Sequence, residues 1–309
     1  MEKVAYFFVD DTIWCLRDVA RQKPKSIFDQ FFFKMLKKGH DEYGMTAQLN
    51  LFYRTDFFYG EQEEFTLSDM PDTYKAEFEA NADWLRFAFH AKQEFPDYPY
   101  VNATYELVKS NYEQIINEVK RFAGEKSIAH AVVPHWLPIS KAGCKALADC
   151  GVKFLSPSMG ERREFTGDDN VLPYGHAARL KHNRQSETML FTRPGRKDAV
   201  ASSICAYNHI TEEQSKEILY KQKSIYDEET GISFRNIGRG PCLNSNTPES
   251  ITQRLKELNG SEYIGTCVHE QYFYPDYYNF QPDCEEKFFL LGKTLKEYGY
   301  RFITADEMK

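Results

Sequence analysis

The chain has no long apolar run. None of its 309 residues falls in a stretch near the roughly 20 apolar residues that span a bilayer, and Met1-Glu2-Lys3 leads into a short apolar run with no signal-type core or cleavage site. No membrane partner is therefore expected, and a cytoplasmic protein is. Cys-x-x-Cys pairs are missing too: the seven cysteines stand singly between Cys15 and Cys284, which reads as reduced core thiols in a reducing compartment. No Gly-x-Gly-x-x-Gly or Walker-type loop follows any apolar run, so there is no phosphate cradle for a nucleotide. Blocks of one charge sign are absent, and a net charge of -7 with scattered acids argues against nucleic acid as a partner. No internal repeat is evident.

What is present is an alternation of strand-like and helix-like segments. Val4 to Thr12 is an almost wholly apolar run of strand length, the pattern of a strand buried on both faces, and it ends in Asp10-Asp11. Further strands are expected over Thr46 to Phe52, Leu85 to Phe89, Ile128 to Val133, Val152 to Leu155, Tyr263 to Val268 and Arg301 to Thr304. Between them the spacing predicts a helix capped by Ser26 and stopped by Gly39, and others near Pro71 to Ala82, Ala103 to Ala123, Ser140 to Cys150 and Thr211 to Tyr226. Two more are expected over Thr247 to Asn259 and Cys284 to Tyr298, and Ile232 to Asn246 reads as a loop. From about 160 to 198 the pattern turns polar, with one strand-like run at Thr188 to Thr192, and reads as an inserted hairpin or lid.

Alternating strands and helices imply an α/β fold with a parallel sheet, open or closed into a barrel. A barrel is favoured because Asp10-Asp11, His90, His135 and His269 each follow a predicted strand, and a barrel gathers such ends at one face. His90 and Glu94 are four apart, so on one helical turn their heads point the same way, a metal-ligand spacing that a carboxylate from another strand would complete. The plainer alternatives are a solvated turn for the aspartates, a hydrogen-bonded core position for His90 and a loop charge for Glu94.

In its order of elements the chain resembles the polysaccharide deacetylases, carbohydrate esterase family four, and their wider barrel superfamily. The family opens on a strand ending in paired aspartates, where Asp10 and Asp11 stand, although the motif's following glycine is Thr12 here. Its His-Ser/Thr-x-x-His motif matches His90 to Glu94 in spacing, with Ala91 for the hydroxyl residue and Glu94 for the second histidine. Its late Leu-x-His resembles Cys267-Val268-His269; the Arg-x-Pro-Tyr motif is not recognisable, though Pro134-His135-Trp136 stands at about its place.

The resemblance implies a distorted (β/α)7 TIM-like barrel, one domain over 1–309 with the insertion at about 160–198. It implies a metal-dependent hydrolase that removes an acyl group, N- or O-acetyl, from a carbohydrate or other acylated small molecule. Asp11, His90 and Glu94 would hold a divalent metal, zinc or, with two carboxylates in the set, manganese, iron or cobalt. Asp10 would be the base and His269 the acid, with His135, Trp136, Glu270 and Tyr272 as substrate contacts or alternative ligands. Tyr272, Phe273, Tyr274, Tyr277 and Tyr278 would wall a saccharide groove or pack under the rim. Two other classes fit the same residues: a glycosidase pairing Asp10 with Glu270 or Glu94, and a non-catalytic carbohydrate-binding protein. Nothing in the sequence bears on the oligomeric state.

Overall fold

The computed structural model describes residues 2–55, 64–95, 99–100, 103–137, 139–156, 179–183, 188–192, 200–203, 217–218, 224–238 and 240–308. In chain order the strands are β1 (Val4–Thr12), β2 (Ala47–Phe52), β3 (Leu85–Ala91), β4 (Ala131–Val132), β5 (Phe154–Leu155), β6 (Arg179–Asn183), β7 (Thr188–Thr192), β8 (Val200–Ser203), β9 (Ile225–Asp227), β10 (Ile232–Phe234), β11 (Tyr263–His269) and β12 (Arg301–Phe302). The helices are α1 (Trp14–Gln22), α2 (Phe31–Tyr43), α3 (Lys75–Ala80), α4 (Tyr105–Phe122), α5 (Lys141–Asp149), α6 (Pro248–Leu258) and α7 (Cys284–Glu297).

The central sheet runs β11-β1-β2-β3, all parallel, with β12 also beside β1. A second sheet runs β4-β5-β10-β9, parallel except for its last pair. Among the described residues the ladders do not form one closed barrel. Single parallel bridges, Phe87 with Ile128 and Cys242 with Cys267, lie between the two sheets' neighbouring segments. The predicted strand Thr188 to Thr192 is β7, the middle of an antiparallel sheet β6-β7-β8; most of the rest of 160–198 lies outside the described residues.

Parallel strands are covered on both faces, and here the two faces differ. Ala5, Phe7 and Val9 of β1, Ala47, Leu49 and Leu51 of β2, and Phe87 and Phe89 of β3 join the large core that holds the helices' apolar stripes. The opposite face carries Tyr6 and Phe8 with Ala88, Ala131 and Ile237, and on it Gln48 and Asn50 are buried. Full burial of such a phenylalanine contributes about 1.5–3 kcal/mol. The second face holds polar groups that demand partners.

Several expectations are corrected. The helix after Ser26 begins as a 3-10 turn, Ile27–Asp29, and Gly39 lies inside α2; Gly44, at φ 71°, is the residue that ends it. A side chain at Gly39 would meet the ring of Phe288 at 2.6 Å, so this glycine serves packing against α7. Helix α1 went unpredicted because it has no capping side chain of its own. Ile225–Asp227 and Ile232–Phe234 form an antiparallel pair where a helix end and a loop were expected; most of the predicted 211–226 helix lies outside the described residues.

Candidate metal site

Strand alternation alone would send Asp10 and Asp11 to opposite faces of β1. A register shift between Val9 and Thr12 in the β1–β2 pairing breaks the alternation, and Asp11 takes a left-handed backbone, φ 58°. Such a conformation is uncommon for a non-glycine residue, and strain of this kind concentrates where the surrounding structure enforces it. The result is that both carboxylates reach His90, Asp10 Oδ1 at 3.8 Å and Asp11 Oδ1 at 3.1 Å.

His90, expected on a helical turn with Glu94, lies instead within β3, and 92–94 bend rather than coil. The four-residue spacing to Glu94 therefore does not place the two side chains on one helical face. Among the described residues, the ligand atoms that converge within 4.8 Å of one another belong to Asp11, His90 and His135. Glu94 contributes through its backbone: its carbonyl oxygen lies 2.9 Å from His135 Nε2. His135 follows β4 in a turn where Trp136 and Leu137 both have positive φ, 62° and 72°.

The outer hydrogen bonds fix both tautomers. A carbonyl oxygen only accepts, so His90 Nδ1, 2.6 Å from Val133 O, carries the proton. His135 Nε2 carries it for the same reason. The inward atoms, His90 Nε2, His135 Nδ1 and Asp11 Oδ1, are then all acceptors, 3.1 to 3.2 Å apart. Three buried lone pairs at this spacing repel unless a cation or proton lies among them, and carbonyl-tethered imidazoles are the usual arrangement of metal ligands. This Asp-His-His group can hold a metal ion.

Charge in the group is finely set. Burial works to raise the Asp11 carboxyl, but the closeness of the His135 and His90 imidazoles, which favour the carboxylate whenever a proton or cation lies among the three, holds it well below the ordinary value. Burial lowers His135; for His90 the same burial is outweighed by Asp10 and Asp11, which raise it. Asp10 is raised, first by burial, against the pull of His90 and His269. Its Oδ1 accepts 2.7 Å from Asn50 Nδ2, and Asn50 is held in turn by Gln48 Nε2 at 2.7 Å. Gln48 also accepts from the Tyr6 hydroxyl.

His269 is the register partner of Asp10 across β1–β11. Its Nδ1 faces Asn244 Oδ1 at 3.0 Å, an oxygen that only accepts, so Nε2 points inward, 4.0 Å from Asp11 Oδ2. Burial lowers its basicity, yet Cys242 and the two aspartates outweigh this and raise it to about 10. Asp10, Asp11, His90, His135, Asn244 and His269 open on a cleft of about 1060 Å³, whose wall includes Trp136, Leu137, Tyr272, Tyr278 and Phe280.

The expected aromatic cluster divides. Tyr272 and Tyr278 line the cleft, whereas Tyr274 and Tyr277 pack edge-on to Trp14 at 5.0 and 6.0 Å and Phe273 packs on Phe32. Glu270 does not line the cleft. It is fully buried, and its carboxylate accepts from the backbone N–H groups of Ile13, Trp14 and Cys15, each at 2.7 Å. It thus caps the uncapped start of α1, where the helix dipole favours an anion. Asn50 and Asn244 were missed by sequence reading; an asparagine carries no signal until its partner is known.

No protein-family model matches this chain, and no curated protein does. Among solved structures it is similar to the Xyl-CE4 domain of a multidomain xylanase from the hindgut metagenome of Trinervitermes trinervoides, at 12% identity and a TM-score of 0.40, over 99% of this chain and 89% of that one.

Proposed function

We propose that the protein is a metal-dependent hydrolase that removes an acyl group, acetyl in the first instance, from a carbohydrate. The observation that carries this reading is the trio of inward-facing acceptors on Asp11, His90 and His135, each imidazole locked by a backbone carbonyl. One carboxylate and two imidazoles suit zinc, with positions left for water and substrate. His135 thus takes the place expected of Glu94. When bound, a divalent cation supplies Lewis acidity to an acyl carbonyl and acidifies water.

The chain's own residues do the rest. Asp10, at the cleft and fixed by Asn50, takes the proton from water. His269, its imidazole held by Asn244 with Nε2 inward, gives a proton to the leaving amine or alkoxide. Trp136, Tyr272 and Tyr278 offer ring faces and edges to a sugar. The two bridges that link the sheets support reading the fold as a distorted seven-stranded barrel in a single domain. Six free cysteines among the described residues support a reducing, cytoplasmic setting, and among those residues no helix is long and apolar enough to cross a membrane.

A glycosidase is disfavoured by a specific observation. Glu270 is consumed by α1, and the carboxylates that line the cleft among the described residues are Asp10 and Asp11, the latter between two imidazoles. Metal analysis of the purified protein followed by assay on acetylated oligosaccharides tests the proposal. Metal in stoichiometric amount with acetate release is expected; a protein that binds no divalent metal would overturn it.

A further inference from the structure

Cys242 and Cys267 are paired across a parallel bridge between the segment before α6 and β11. The two segments are joined by backbone hydrogen bonds, Gly240 N–H to Gly265 O at 2.5 Å and Cys267 N–H to Pro241 O at 3.5 Å. Neighbouring strands lie about 4.8 Å apart, inside the roughly 4.4–6.8 Å that a disulfide spans between Cα atoms. Both thiols line the cleft. Cys242 Sγ also lies 3.2 Å from Asn244 Oδ1 and 3.9 Å from His269 Nδ1.

We propose that Cys242 and Cys267 form a peroxide-sensitive dithiol that closes to a disulfide in the cleft wall and slows turnover by withdrawing Cys242 from Asn244 and His269. The first step suits Cys242. The neighbouring Cys267 thiol and then His269, 3.9 Å away, hold Cys242 well below the ordinary thiol value, while Cys267 is raised by its closeness to Cys242 and by burial. Cys242 gives up its thiol proton, its thiolate attacks one oxygen of hydrogen peroxide, the O–O bond breaks, and the departing hydroxide takes up that proton to leave as water, with the sulfur now a sulfenic acid. The Cys267 sulfur then attacks the sulfenic sulfur, the S–S bond forms, and a second water leaves with the Cys267 proton. Two thiols and one peroxide thus give one disulfide and two waters. A thiol reductant reverses the reaction.

The cross-link is read without any assay, whereas its effect on turnover rests on the hydrolase reading. The full-length protein is treated with hydrogen peroxide, its remaining thiols are alkylated, and tryptic peptides are sequenced by mass spectrometry. Tryptic peptides 240–254 and 257–287 should appear joined and lighter by two hydrogens, with fragment ions placing the link at Cys267 rather than at Cys284, which shares its peptide. The joined pair should vanish with dithiothreitol and in Cys242→Ser and Cys267→Ser. Acetate release should fall about tenfold or more on oxidation, part of what a general acid contributes, and return on reduction, with no such ratio in Cys267→Ser. Full alkylation of both thiols after peroxide, or a link to Cys284, overturns the pairing. A complete cross-link with unchanged turnover overturns the coupling to His269. A reduced protein inactive on every acetylated sugar would sink the hydrolase reading and leave the cross-link result standing.

Discussion

His90 Nε2 and His135 Nδ1 face each other at 3.1 Å, and neither has a proton to share, because each ring has given its N–H to a backbone carbonyl. Asp11 Oδ1 closes the triangle. The protein thereby holds three acceptors in contact before any ligand arrives, a buried arrangement that a divalent cation relieves.

If His135 is the third ligand, His135→Ala should lower metal affinity by about 10²-fold or more, since even outer partners of ligands cost 10–100-fold. Glu94→Gln leaves the carbonyl that orients His135 and should keep metal. Metal content of the two purified variants separates the assignments, and loss of metal from Glu94→Gln with retention in His135→Ala would reinstate Glu94.

Asp10→Asn keeps shape and removes the base. Metal content should stay near the parent's, while turnover falls by about 10²-fold or more. Metal loss in this variant would make Asp10 a ligand instead.

His269→Gln retains a hydrogen-bonding head beside Asn244 but cannot give up a proton near neutral pH. Turnover on amide substrates should drop by about 10²-fold, and less on esters with good leaving groups, which need little protonation. Equal losses on both substrate types would argue for a positioning role.

Glu270→Ala leaves three buried N–H groups at the start of α1 without their acceptor. Denaturant unfolding should show a loss of about 3 kcal/mol or more. A change within error of zero would mean that water satisfies this helix end.

Chelation should destabilise the protein as well as silence it. At free metal of 100 times Kd, binding contributes about 2.7 kcal/mol to the folded state, which thermal unfolding with and without chelator will register. An unchanged melting temperature would speak against a buried metal at the trio.

The alternation of apolar strands with capped helices was legible in the sequence because it is written in local periods of two and 3.6. That is why β1, β2, β3 and β11 fall where expected. The aspartate pair, His90, His135 and His269 were also legible, since polar residues at the ends of buried strands need a reason to be there. What tertiary structure decided were relationships between distant segments. Position 94 has the right spacing for a ligand only if the chain coils after His90; β3 instead runs on through Ala91, and the side chain that meets His90 Nε2 is His135, forty-five residues after His90. Glu270 looked like a site residue beside His269, yet an α1 start with no cap of its own claims it from more than 250 residues away. Asp10 and Asp11 share a face only because a register shift and a positive φ undo strand alternation at one residue. Local periodicity cannot encode these outcomes, because each is settled by which buried polar group finds a partner once the strands have been brought side by side.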